Sequence, residues 1–215
     1  MAAAWIETFA FAYVVLCLVS AAAVGFDVLR GRRHPMEVMN WVWPITALYV
    51  GPLAFLLHRR DLEEDSAAKP FGAKVFTGVT HCASGCALGD LAGEWIVFGA
   101  AMTIAGHTLA AAFVMDFALA YVIGIAFQYF SIAPMRGISG WRGIAAALKA
   151  DTLSLIAFEV GMFGWMALVR LVLFPDVEAN SFLYWFLMQI GMTVGFATSY
   201  PANWWLLRKG WKEAM

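Results

Sequence analysis

Between residues 81 and 94 the chain reads HCASGCALGDLAGE: an imidazole, two thiols and two carboxylates within fourteen positions. These are donors suited to a transition metal. Thiolates favour copper(I) or zinc, and carboxylates favour zinc or iron. The expected ligand set is His81, Cys82, Cys86, Asp90 and Glu94. Residues four apart share a helix face, so Cys82, Cys86, Asp90 and Glu94 would form one polar stripe. Gly85, Gly89 and Gly93 would form a second stripe about 100° round the axis, a small-xxx-small surface on which another backbone can lie closely. A C-x-x-x-C pair on one helix is not a zinc-ribbon knuckle, and metal binding here needs a further ligand from another helix.

Two more carboxylates, Asp116 and Glu159, fall inside other apolar stretches. With Asp90 and Glu94 they would trace a path for protons or another ion, because acids inside a membrane are costly and by default functional. By its place in the chain Asp116 should sit at the depth of Glu94, and Glu159 nearer His81 and Cys82.

The elements that must position these groups are membrane helices. Of 215 residues, 62% are hydrophobic and 13% charged, whereas a soluble domain is about a quarter charged. Roughly 20 apolar residues cross a bilayer, and six runs qualify, over about 5–29, 38–57, 74–106, 108–132, 152–174 and 181–207. The fold class is therefore an all-α polytopic membrane bundle, forming one domain over 1–215. Pro44 and Pro52 interrupt the second run, so that segment is either a sixth crossing or re-entrant; six crossings satisfy the backbone more simply. Arg136, Arg142 and Lys149 among apolar neighbours suggest an amphipathic helix lying on the membrane surface over 134–150. Basic residues at 59–74, 136–149 and 208–212 place those loops and the C-terminus in the cytoplasm, although Arg30, Arg32 and Arg33 break the alternation if all six runs cross. Tyr184 and Trp185, near the start of a run, read as interfacial anchors.

A net charge of −1 argues against nucleic acid as a partner. Three cysteines, Cys17, Cys82 and Cys86, are too few for a disulfide framework. Walker, Rossmann and serine-hydrolase motifs do not occur in the sequence.

Four strings carry a resemblance: NWVWPITALY at 40–49, HCASGCALGDLAGE at 81–94, FQYFSIAPMRG at 127–137 and TSYPANWW at 198–205. Together they resemble an uncharacterised family of small bacterial membrane proteins with an H-C-x-x-G-C-x-L-G-D membrane motif, over most of the chain after His34. The resemblance implies a multi-pass protein of the bacterial inner membrane and brings no activity with it.

Three functions follow as expectations. The first is a membrane site that binds or translocates a cation, either a transition metal (copper, zinc or iron) or a proton. The second is a membrane-embedded metalloenzyme using the same ligands. The third is an assembly subunit without chemistry of its own, forming a homo-oligomer through the glycine stripe, with the lipid bilayer as its other partner.

Overall fold

The structure, a computed structural model, describes residues 4–63 and 68–213; part of the charged stretch 58–69 lies outside them. The described residues are all-α and form seven helices: α1 Ala4–Leu29, α2 Met39–Val50, α3 Pro52–Glu63, α4 Phe71–Gly99, α5 Thr108–Arg136, α6 Gly140–Leu168 and α7 Phe182–Arg208. A π-helical turn, Val169–Leu173, extends α6. Among the described residues the only β pairing is an isolated bridge, Ile104 to His107, in the α4–α5 turn.

Four helices are long and apolar enough to cross a membrane: α1, α5, α6 with its extension, and α7. At 29 residues α4 matches α5 in length, roughly 43 Å at 1.5 Å per residue. Its polar content sets it apart, and its position accounts for that content. It packs on α2, α5, α6 and α7, and 17 of its 29 residues are buried. A polar stripe is tolerated on a helix that protein, rather than lipid, surrounds.

The expected second crossing, 38–57, is not one span. Gly51, at φ +65°, precedes Pro52 and breaks it into two helices of 12 residues each. α3 returns alongside α2: Trp43 Nε1 donates to Asp61 Oδ2 at 3.3 Å, and His34 Nε2 lies 3.3 Å from the same oxygen. Lys69 pairs with Asp61 as well, and Arg59 Nε donates to Asp27 Oδ2, near the end of α1, at 3.3 Å. The start of α2 and the end of α3 therefore share one end of the bundle. Tyr200 Oη on Gly72 O (3.1 Å) and Arg136 Nε on Glu213 Oε1 (2.6 Å) bring the ends of α7 and α5 to the same place. All lysines and arginines except Arg170 collect there. At the opposite end Glu7, Asp176 and Glu178 line one cavity.

The glycine stripe is consumed within the chain. A Cβ on Gly85 would fall 2.7 Å from Gly124 Cα; on Gly89 it would land on the Ala120 backbone, and on Gly93 on Asp116. The antiparallel partner row is Asp116, Ala120 and Gly124 of α5, again spaced by four. A homo-oligomer through this stripe is thus left without its surface, because α5 already covers it. Residues 134–150 form no separate surface helix either. α5 ends at Arg136 with Gly137 as its left-handed cap (φ +61°), and α6 begins at Gly140.

Candidate functional site

On α4, Cys82, Cys86, Asp90 and Glu94 lie on one buried face, at most 5% exposed. His81 does not join them. One residue of helix turns it by about 100°, and its Nε2 meets Ser131 Oγ of α5 at 2.8 Å while Nδ1 is buried without a hydrogen-bond partner. The expected ligand set therefore does not converge, and among the described residues no three His, Cys, Asp or Glu side chains form a metal-holding group.

What does converge is a file of polar groups. At the basic end Lys212 Nζ donates to Asp151 Oδ1 at 2.8 Å. Ser154 Oγ also donates to Asp151 Oδ1, at 3.0 Å, and stands 3.1 Å from Cys82 Sγ, while His81 lies within electrostatic reach of the same carboxylate. Cys86 follows one turn on, facing Cys82, Glu159 and Asp90. Tyr49, delivered by the tip of the α2–α3 hairpin, stands beside both thiols. Asp90 lies within electrostatic reach of Glu159, Asp116 and Glu94. Glu94 in turn faces Tyr184, Arg170 and Asp116, and the Arg170 guanidinium lies 5.8 Å from the Tyr184 ring centre. The carboxyl oxygens of Asp90, Asp116 and Glu159 are buried, and none makes a hydrogen bond of ordinary length and angle among the described residues.

Asp116 stands beside Glu94, as its place in the chain implies. Glu159 lies deeper than expected, against Cys86 and Asp90 rather than His81. The reason is that α6 starts at Gly140 and not near 152, which moves Glu159 toward the middle of its helix. Several members, Ser154 among them, had no signal in a reading of local spacing. Tyr184, taken for an interfacial anchor, is 1% exposed. Tyr49 depends on the hairpin. Asp151 falls between the basic stretch 136–149 and the run expected from 152, and Lys212 in the basic stretch 208–212 at the C-terminus. Burial pulls the Lys212 ammonium toward neutrality, but the adjacent Asp151 carboxylate outweighs it and holds the pKa above its ordinary value. Gly210 and its place two residues after α7 are the one sequence hint, since a glycine there permits a chain reversal.

The chemistry available is that of proton-bearing groups in close succession: an ammonium, carboxyls, a hydroxyl, thiols and phenols. Three carboxylates with few other partners would repel one another if all were charged, so protons shared among them relieve the site.

The model of a family described as a domain of unknown function (DUF4396) matches residues 73–212. The chain belongs to this family. The DUF4396 region takes in α4 to α7 and every member of the file except Tyr49; α1 and the α2–α3 hairpin precede it. The string at 40–49 that entered the resemblance thus falls outside the matched residues. No curated protein and no solved structure matches the chain.

Proposed function

We propose that the protein is a multi-pass membrane protein whose α4–α7 core passes protons along the file from Lys212 and Asp151 to Glu94, Tyr184 and Arg170. The observation that supports the reading is the succession of ionisable groups buried in the bundle interior, with the carboxyls of Asp90, Asp116 and Glu159, which lack ordinary hydrogen bonds, at its centre. A proton can move between such groups without a water-filled pore. A larger cation would have to shed its hydration shell and find several ligands at once, and no three His, Cys, Asp or Glu side chains among the described residues are grouped to hold one.

The same reading gives five crossings, α1, α4, α5, α6 and α7, with the hairpin re-entrant. Short cytoplasmic loops collect Lys and Arg, so the basic end is cytoplasmic and faces the inside of a bacterial inner membrane. Arg30, Arg32 and Arg33 then obey the rule that six crossings would break.

The test is proton flux into proteoliposomes loaded with a pH-sensitive dye, driven by a potassium diffusion potential. Wild-type protein should acidify the lumen, and Asp90→Asn or Glu159→Gln should fall to the rate of protein-free vesicles while remaining folded. Wild-type vesicles no leakier than empty ones, or both variants conducting like wild type, would refute it.

A further inference from the structure

The segment after α7 folds back into the bundle. Gly210 takes φ +65°, and the N–H groups of Trp211 and Lys212 both return to Leu206 O, at 3.0 and 3.4 Å. That reversal buries Lys212 beside Asp151, their side chains 0% and 1% exposed. The Lys212 stem lies over Gly78 of α4, where a Cβ would be 3.9 Å from Lys212 Cε. Three contacts fasten the segment: Glu213 Oε1 accepts from Arg136 Nε at 2.6 Å, Trp211 packs edge-on against Trp205 at 5.3 Å, and Lys149 Nζ stands 4.6 Å over the Trp211 ring. Lys212 is thereby placed at the basic entry of the file, with Asp151 and Ser154 between it and Cys82.

We propose that Lys212 is a specificity-determining residue of the file: bolted to Asp151, it seals the basic end against hydrated ions and solutes while the hydrogen-bonded series Lys212, Asp151, Ser154 and Cys82 leaves a way in for protons. This rests on the proton reading of the site. The physical basis is that an ammonium with no exposed surface fills the entry. A cation arriving there meets both a positive charge and a closed wall, whereas a proton needs only donors and acceptors in sequence.

Cys82 is a built-in reporter. In a Cys17→Ala/Cys86→Ala background it is the one remaining thiol, and a charged methanethiosulfonate reagent measures access to it. With Lys212 in place the thiol should be protected. Lys212→Ala should speed modification at least about tenfold, because removing one partner of a buried pair frees the segment to open. Lys212→Arg should keep most of the protection, and Arg136→Ala, which cuts only the latch to Glu213, should lie between. A folded Lys212→Ala protein labelled no faster than its parent would overturn the proposal. Should that variant fail to fold, unchanged labelling in Arg136→Ala would overturn it. Wild-type proton flux with Lys212-independent labelling defeats the seal alone. Lys212-dependent labelling without wild-type flux defeats the proton reading and leaves the seal.

Discussion

Replacing Gly89 by alanine should loosen the α4–α5 pair, and Gly164→Ala is the matched control. The added Cβ at Gly89 meets backbone, including Leu119 C at 2.8 Å and the Ala120 main chain, so no side chain can rotate out of its way. Carbon atoms rest at about 3.5–4.0 Å, and the Ala120 main chain lies closer still than Leu119 C, so the two helices would have to part by more than about an ångström along a contact that also carries Gly85–Gly124 and Gly93–Asp116. Overpacking of this kind costs about 1–3 kcal/mol. Both variants gain the same helix propensity, about 0.8–1 kcal/mol for Gly to Ala, and nothing lies within 4 Å of a Cβ at Gly164. The propensity gain cancels between the two proteins, so their difference reads the packing cost alone. At roughly 2–4 °C per kcal/mol for a chain of this length, Gly164→Ala should melt on the order of 5 °C above Gly89→Ala in a detergent-solubilised thermal assay. Equal melting temperatures would refute the close α4–α5 approach and return the glycine stripe to the surface.

Two further outcomes are expected. His58 is buried at 0% exposure against Trp43, ring centres 6.0 Å apart, with neither ring nitrogen hydrogen-bonded among the described residues. Burial pulls its pKa below the ordinary 6.5 despite the opposing charges of Asp27 and Asp61. The unfolded chain therefore binds the proton first, and stability should fall as pH drops below 6.5; His58→Phe should flatten that decline in melts between pH 7 and pH 5, and an unaltered profile would contradict it. Metal analysis of purified protein should find no stoichiometric copper, zinc or iron, and a near-stoichiometric metal that disappears in Cys82→Ala/Cys86→Ala would replace the proton reading with a metal one.

The parts of the site that lie on one helix were legible because helix geometry is local. Spacing by four put Cys82, Cys86, Asp90 and Glu94 on one face and the glycines on another, and antiparallel succession put Asp116 beside Glu94. His81 shows the limit of reading by adjacency: next to Cys82 in sequence, it faces a different helix. Lys212, Tyr49 and Asp151 were out of reach for a different reason. Lys212 and Tyr49 are brought in by reversals, at Gly210 and at Gly51, whose destinations depend on packing between segments distant in sequence, and Asp151 by α6 starting already at Gly140. The break at Gly51 was out of reach for the same reason, since hydropathy measures how apolar a run is and not whether it turns back.

The objection to a re-entrant second segment was that its tip would strand backbone groups in the membrane. Three of the last four carbonyls of α2 have partners that bear on that objection. A helix leaves its last carbonyls without partners, and at the end of α2 three are taken in turn: Ala47 O accepts from Gly51 N at 3.0 Å, Leu48 O from Gln189 Nε2 at 2.6 Å, and Tyr49 O from Tyr13 Oη at 3.4 Å. Pro52 has no N–H to satisfy, and Ala54 N returns to Gly51 O at 3.0 Å. Glycine at the break allows the positive φ and also the close pass of α1, where a Cβ would sit 3.3 Å from Cys17 Sγ. Thr46 then pins the hairpin to α4 through Ser84 at 3.1 Å, and the next turn of α2 carries Tyr49 to the thiols. Gln189 and Tyr13 are thus explained by the hairpin they cap, while the hairpin is explained by what it does to α4: it closes the remaining side of a helix too polar to face lipid and adds a phenol to the file.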